Sequence, residues 1–270
     1  MAGDSALWLT EVIRRVVDQR RIADLATIIG TSAGAEELAG RKLLVEGDGT
    51  SWGSLGAENL DARVRDDAIA QIRERRSRVV SYPLPRGLED DATIDVFHEV
   101  IEPQPQLLVI GAGHIAVPLA RFGKLVGFEV VVLDDREKYA NRDRFPDADQ
   151  VLAADFGGTL RDYPINESSY VVIITRAHTY DEEALRLILH KPCPYIGMIG
   201  SRRRVQTVMR TLVAEGYQRE RIAVIHAPIG LDIGAETPEE IALAIIAEVV
   251  AVRRGGTAQP LSSIGRPIAF

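Results

Sequence analysis

Cysteine is nearly missing from this 270-residue sequence, with Cys193 the single example. One thiol cannot build a disulfide framework, and a zinc cage of several thiolates is excluded as well. Long apolar runs are missing too. Crossing a bilayer takes about 20 apolar residues in succession, and the best stretch, Ile241 to Val252, is short and broken by Glu248. The opening Met-Ala-Gly-Asp-Ser lacks the basic segment and apolar run of a secretory signal, so none is expected. There is no basic excess: the net charge is −7, spread over both signs. That argues against general binding to nucleic acid or to anionic membranes, which needs a basic surface. The five histidines (His98, His114, His178, His190 and His226) are scattered, without the pairing of a metal site. No Gly-x-Ser-x-Gly nucleophile elbow occurs, so serine hydrolase chemistry is not indicated. The expected setting is cytoplasmic.

Two different rhythms divide what is present. Leu9, Val12, Ile13, Val16 and Val17 mark one face of an amphipathic helix. Leu25 to Gly30 reads as a strand, and Lys42–Val45 and Thr50–Leu55 flank the turn Gly47-Asp48-Gly49 as a hairpin. A helix over Asn59–Arg76 and strands near Val79–Tyr82 and Thr93–Ile101 complete a small α+β domain over residues 1–102. Pro103-Gln104-Pro105-Gln106 then reads as a linker, because proline withholds backbone donors and keeps its neighbour extended. From 107 to 256 strands and helices alternate, and a tail follows over 257–270. Leu107-Leu108-Val109-Ile110 is a continuous apolar run, as a parallel strand buried on both faces requires. Further strands are expected at 129–133, 150–153, 170–174, 195–199 and 222–225, with helices at 115–126, 181–190, 202–215 and 238–254. The fold class is α/β: a C-terminal, Rossmann-type, doubly wound parallel sheet behind a smaller N-terminal α+β domain.

The chemistry starts at Gly111-Ala112-Gly113-His114-Ile115-Ala116, a Gly-x-Gly-x-x-Ala step between a strand and a helix. The first glycine allows the tight turn, the second lets a pyrophosphate approach the backbone, and Ala116 lets helix and strand pack closely. Phosphates would rest on unpaired amides at the helix start, where the dipole favours negative charge. Asp134 follows about 20 residues on, at the end of the next strand, where an acid accepts from ribose hydroxyls. Asp134 and Asp135 favour a free ribose, while Arg136 leaves room for a 2′-phosphate, so NAD and NADP both remain open.

Ligands of open α/β sheets bind beyond the carboxyl ends of the strands. That rule selects Asp155, the segment Thr175–His178, Gly200-Ser201-Arg202 and Pro228–Asp232. His178, with Asp181 nearby, is a candidate proton donor; alternatively it precedes a helix-capping box, Thr179-x-x-Glu182. Ser201 is a fitting N-cap, and Arg202 is the candidate phosphate clamp among Arg202-Arg203-Arg204. Thr237-Pro238-Glu239-Glu240 reads as a structural helix start, and Cys193, between two prolines, as inert.

Several of these stretches together resemble the XdhC/CoxI family, accessory proteins that bind molybdenum cofactor and deliver it to xanthine dehydrogenase-type molybdenum hydroxylases. The resemblance rests on Val109–His114, on Val132–Arg136 with Arg144-Phe145-Pro146, on Tyr195–Arg203, and most distinctively on Pro228–Ala235 continued by Thr237–Ala242. In the N-terminal domain, Ala57-Glu58-Asn59 with Asp61, and Asp90-Asp91-Ala92, stand where the family carries Gly-Gly-Cys with a nearby Glu, and Cys-Gly-Gly. Both cysteines are absent, and carboxylates and an amide are harder ligands than thiolates. The resemblance implies a maturation chaperone, expected as a homodimer, with molybdopterin as cargo and a molybdenum hydroxylase as client. The alternatives are an NAD(P)-dependent oxidoreductase using His178 and Asp181, and an NAD(H)-sensing module.

Overall fold

The computed structural model describes residues 2–32, 35–83 and 93–264, with side chains from Trp8 onward. The place of Asp90-Asp91-Ala92 lies outside the described residues. The chain divides into two compact units, Met1–Pro103 and Gln104–Phe270.

In the first unit, helix α1 (Ala2–Asp18) precedes strands β1 (Ala23–Thr31), β2 (Lys42–Glu46) and β3 (Ser51–Gly53). Helix α2 (Glu58–Glu74) and strands β4 (Arg78–Pro83) and β5 (Thr93–Ile101) follow. The sheet runs β3-β2-β1-β5-β4 and its pairs are antiparallel. Period-two alternation sends Ala26, Ile28, Leu43, Val45, Ile94 and Val96 beneath Val64 and Ala68 of α2. Leu25 and Leu44 point to the opposite face, against Leu9, Val12, Ile13 and Val16 of α1. The α2 face also buries a polar chain. Asp24 Oδ1 lies 2.9 Å from His98 Nδ1, His98 Nε2 lies 2.9 Å from the Tyr82 hydroxyl, and that hydroxyl donates to Asp67 at 2.7 Å. Burial pushes the Asp24 carboxyl up, against the pull of the His98 hydrogen bond.

The second unit contains β6 (Gln106–Ile110), α3 (Ala116–Leu125), β7 (Glu129–Asp134), β8 (Gln150–Ala153), α4 (Phe156–Asp162) and β9 (Ser169–Ile173). It continues with α5 (His178–Ile188), β10 (Tyr195–Met198), α6 (Arg202–Ala214), α7 (Arg219–Ile222), β11 (Ile225–His226) and α8 (Pro238–Arg254). The strands order as β8-β7-β6-β9-β10-β11 with every pair parallel. Counted within the unit this is 3-2-1-4-5-6, the doubly wound Rossmann order, which reverses direction between β6 and β9. The apolar strands serve both layers. Leu107, Val109, Val130 and Val132 pack on one side with Leu119 and Ala120 of α3 and with Ile245 and Val249 of α8. Leu108, Ile110, Val131 and Leu133 pack on the other with Leu185 of α5 and Val208 of α6. Helix α3 sits so close to the sheet that a Cβ on Gly123 would come within 2.7 Å of Leu107.

Three local readings change. Gln106 pairs with Glu129 and Ser169 in the sheet, so the connection is shorter than 103–106. The last strand lies at Ile225–His226 because Ile222 closes α7. Helix α4 carries Gly157 and Gly158, poor helix formers that hide it from a propensity reading; the Asp155 cap compensates, accepting from Gly158 N at 2.7 Å.

Candidate functional site

The turn after β6 opens at the switch point. Gly111 has φ +110°, and a Cβ there would stand 2.6 Å from the Ile174 carbonyl oxygen, so the position tolerates only glycine. Gly111 N donates to the Leu133 carbonyl at 2.7 Å, and buried Ala112 N donates to Asp134 Oδ2 at 2.8 Å. Arg144 holds the outer side, its Nη1 donating to the carbonyls of Ala112 (2.8 Å) and Tyr139 (3.1 Å). Gly113 differs from its neighbours: a Cβ there would meet nothing within 4 Å. The amides of Gly113, His114 and Ile115 have no acceptor among the described residues. Helix α3 follows directly, with no side chain capping it. Unpaired amides at the positive end of a ten-residue helix are a cradle for an anion.

A cleft of about 340 Å³ lies over this cradle, within the range of small-molecule sites. Gly113, His114 and Ile115 form its floor, Arg136 and Tyr139 one wall, and Ile174, Thr175, Arg176 and Ile199 the other. Asp134 is not among the lining residues. It is 1% exposed, and besides Ala112 N it accepts from Arg136 N (3.0 Å), Nε (2.8 Å) and Nη2 (2.9 Å). All four acceptor positions of a carboxylate are thereby used, so the expected ribose contact is corrected: Asp134 braces the turn and Arg136 from behind. Burial alone would raise its pKa; the hydrogen bonds from Arg136 and Ala112 prevail and hold it at about 2. Arg136, fixed edge-on by Asp134, lies over the Tyr139 ring at 3.9 Å. Asp135 is bound by both terminal nitrogens of Arg176, at 2.6 and 2.8 Å. Arg176 also donates to the Tyr180 hydroxyl and lies over its ring at 4.3 Å.

The remaining predicted residues go elsewhere. His178 is exposed and opens α5 with Ala177 as N-cap, so the box Thr179-x-x-Glu182 does not form. Within the segment Thr175–His178 it is Thr175 and Arg176, not His178, that reach the cleft. Asp181 is wholly buried, paired with Arg204 and hydrogen-bonded to the Thr175 hydroxyl, so it props the β9 end from inside the fold and does not itself line the cleft. Burial pushes its carboxyl up, against those partners. Of the three consecutive arginines it is Arg204 that turns inward; Arg202 and Arg203 are exposed, since successive helical residues point about 100° apart. Ser201 caps α6, accepting from Arg204 N, directly after Gly200. Asp155 is the α4 cap described above, not a cleft residue. Asp232 is exposed in the loop before α8. Cys193 is half-buried, and the desolvation of its thiol pushes it up to about 11. Thr237 and Glu240 form a complete capping box behind Pro238.

One cluster carried no sequence signal. Glu248 of α8 accepts from the Tyr195 hydroxyl at 2.5 Å and from Gly230 N at 3.1 Å, while His226 Nδ1 stands 3.5 Å from its other oxygen. Leu231 N donates to the Ala244 carbonyl at 3.2 Å. These bonds fasten the Pro228–Leu231 loop, with its cis Ala227–Pro228 peptide, onto α8. Partners this far apart in sequence leave no local spacing to read. Among the described residues, no group of three His, Cys, Asp or Glu could hold a metal, and no helix is long and apolar enough to cross a membrane.

Strand order, glycine turn and amide cradle together define a Rossmann-type domain with an anion-receptive switch point. The XdhC Rossmann domain model matches residues 107–249, and the model of the XdhC and CoxI family matches residues 16–83. The chain belongs to the XdhC/CoxI family. It is 32% identical to the uncharacterized protein YqeB of Escherichia coli K12 over 229 residues, covering 82% of this chain and 42% of that protein. It is 32% identical over 164 residues to the probable A subunit of a xanthine dehydrogenase from Bacillus subtilis 168, covering 61% of this chain and 48% of that protein. The chain thus spans less than half the length of either relative. Among solved structures, a xanthine dehydrogenase from Bacillus halodurans shares the fold, with a TM-score of 0.52 over 94% of this chain and 97% of that one, at 23% identity.

Proposed function

We propose that this protein is an accessory factor of a xanthine dehydrogenase-type molybdenum hydroxylase, and that its Rossmann unit holds a pyrophosphate-bearing cofactor, with molybdenum cofactor as cargo. Family membership and the name of the Bacillus subtilis relative support the accessory role. The observation that carries the binding role is the row of unpaired amides at Gly113, His114 and Ile115 beneath the cleft. Amides and a helix dipole bind phosphate without any catalytic group, and the two candidate catalytic residues, His178 and Asp181, are outside the cleft lining. In this reading the chain's residues bind and shield; they perform no bond-making step. The N-terminal unit acts without the family's two cysteines, so any sulfur handling there falls to another protein.

A second reading of the ligand is favoured by the cleft walls. Arg136, Tyr139 and Arg176 stand at the ends of β7 and β9, where a Rossmann domain receives the ribose and base of a nicotinamide dinucleotide. Bound NAD(P)(H) would supply hydride chemistry or report the redox state. Anaerobic gel filtration with molybdenum cofactor and separately with NAD(P)H, followed by molybdenum, pterin and nucleotide analysis of the protein peak, tests both readings. Co-elution of molybdenum and pterin supports the cargo role; co-elution of nicotinamide dinucleotide alone favours the second reading; a peak free of all of them refutes both.

A further inference from the structure

Resting on the second reading, that a dinucleotide occupies this cleft, we infer that the site selects a nucleotide whose adenosine ribose carries a phosphate monoester over one with a free ribose. A ribose diol is first a hydrogen-bond donor and needs an acceptor, usually a carboxylate at the end of the second strand. Neither carboxylate here lines the cleft. Asp134 is buried with its four acceptor positions taken. Asp135 gives both oxygens to Arg176 in a bidentate ion pair. What the cleft wall offers instead is guanidinium: Arg136 on one side and Arg176 on the other, with Asp135 between them, 3.8 Å from Arg136 Nε. The Asp135 carboxylate is thus the counter-ion that an external anion would replace at these arginines.

The competition can be weighed. To reach a neutral ribose hydroxyl in the cleft, whose lining it does not join, Asp135 must turn away from a charge-assisted bidentate pair for ordinary hydrogen bonds, a losing exchange. A phosphate dianion can take Arg176 in the same two-pronged manner and engage Arg136 as well, so its exchange is even or better. The Tyr139 and Tyr180 rings behind the two guanidiniums hold them flat at 3.9 and 4.3 Å, so little side-chain freedom is lost on binding.

Titration calorimetry of the full chain with NADPH, NADH, coenzyme A and dephospho-coenzyme A tests this. The expected result is tighter binding of NADPH than NADH by about tenfold or more at low salt, narrowing as salt is raised. Should coenzyme A also exceed dephospho-coenzyme A, the site accepts a 3′-phosphate as well; a gap in the nicotinamide pair alone restricts it to the 2′-phosphate. Asp135→Asn, which frees Arg176, is expected to hold or strengthen NADPH binding and to leave NADH unchanged. Arg176→Gln is expected to bring NADPH down to the NADH level. NADH binding as tightly as NADPH, or a loss of NADH affinity in Asp135→Asn, overturns the inference while leaving the dinucleotide reading intact. Binding of none of the four ligands overturns that reading and the inference with it.

Discussion

The two glycines of the phosphate turn are expected to fail in opposite ways. Gly111 sits at φ +110°, a conformation that costs an L-residue roughly 1–3 kcal/mol. A Cβ there would also press on the Ile174 carbonyl oxygen at 2.6 Å, and that backbone, just past β9 and tied by its amide to the Ile110 carbonyl, cannot easily step aside. Overpacking of that kind costs about 1–3 kcal/mol more. Gly111→Ala should therefore lose about 2–6 kcal/mol, lowering the melting temperature by roughly 5–20 °C. Gly113 has neither constraint: its φ lies outside the left-handed region and nothing stands within 4 Å of an added Cβ. Gly113→Val should melt within about 2 °C of wild type, as surface substitutions do. Its methyl groups would instead fill the floor of the cleft and keep phosphate oxygens off the amides. Losing two charge-assisted hydrogen bonds at about 1.5–3 kcal/mol each weakens binding by at least a hundredfold. Circular dichroism melts and calorimetric titration with a dinucleotide, run on both variants, separate the two effects. A Gly113→Val protein that melts as low as Gly111→Ala, or that binds like wild type, would refute the reasoning.

Three further outcomes are expected. The Asp134 pKa is held at about 2, below its unfolded value, so its contribution of about 2 kcal/mol is full above pH 4 and disappears as pH falls toward 2. Urea midpoints between pH 5 and 2.5 should fall less steeply for Asp134→Asn than for wild type, and parallel curves would deny the residue this role. Arg204→Met strands the buried Asp181 carboxylate and should cost about 3–5 kcal/mol, much of it recovered in the Asp181→Asn/Arg204→Met double variant; additive losses in thermal melts would contradict the pairing. Cys193, its thiol raised to about 11 by burial, should react with a disulfide reagent at pH 8 at least about tenfold more slowly in the native protein than in urea. Immediate stoichiometric labelling of the folded protein would show the thiol to be accessible.

Much of the architecture was legible because it depends on local order. Apolar runs such as Leu107–Ile110 announce strands buried on both faces, and Gly111-x-Gly113 between strand and helix marks the turn. The side chains around the turn were harder to place, since their roles depend on which partner wins. Asp134 stands at the expected strand end, yet Ala112 N and Arg136 claim it first. Arg202, Arg203 and Arg204 are equivalent in sequence, and only the buried Asp181, brought close by the packing of α5 and α6, selects Arg204. A capping box was legible at Thr237 because Pro238 fixes the helix start; at Thr179 no proline does, and α5 is capped two residues earlier, at Ala177. Tyr195 and Glu248 meet only after β10 and α8 have packed, which no spacing rule anticipates.

The tether between the Pro228–Leu231 loop and α8 makes that loop a poor candidate for transplantation. Its contour is dictated by Glu248 and Ala244, residues that follow it in the chain and lie in a different element. Copying Pro-Ile-Gly-Leu into another Rossmann protein would carry the letters without the shape unless the recipient helix offered the same carboxylate and the same small residue. Conversely, a designer wishing to reshape this loop would do better to edit the helix than the loop itself.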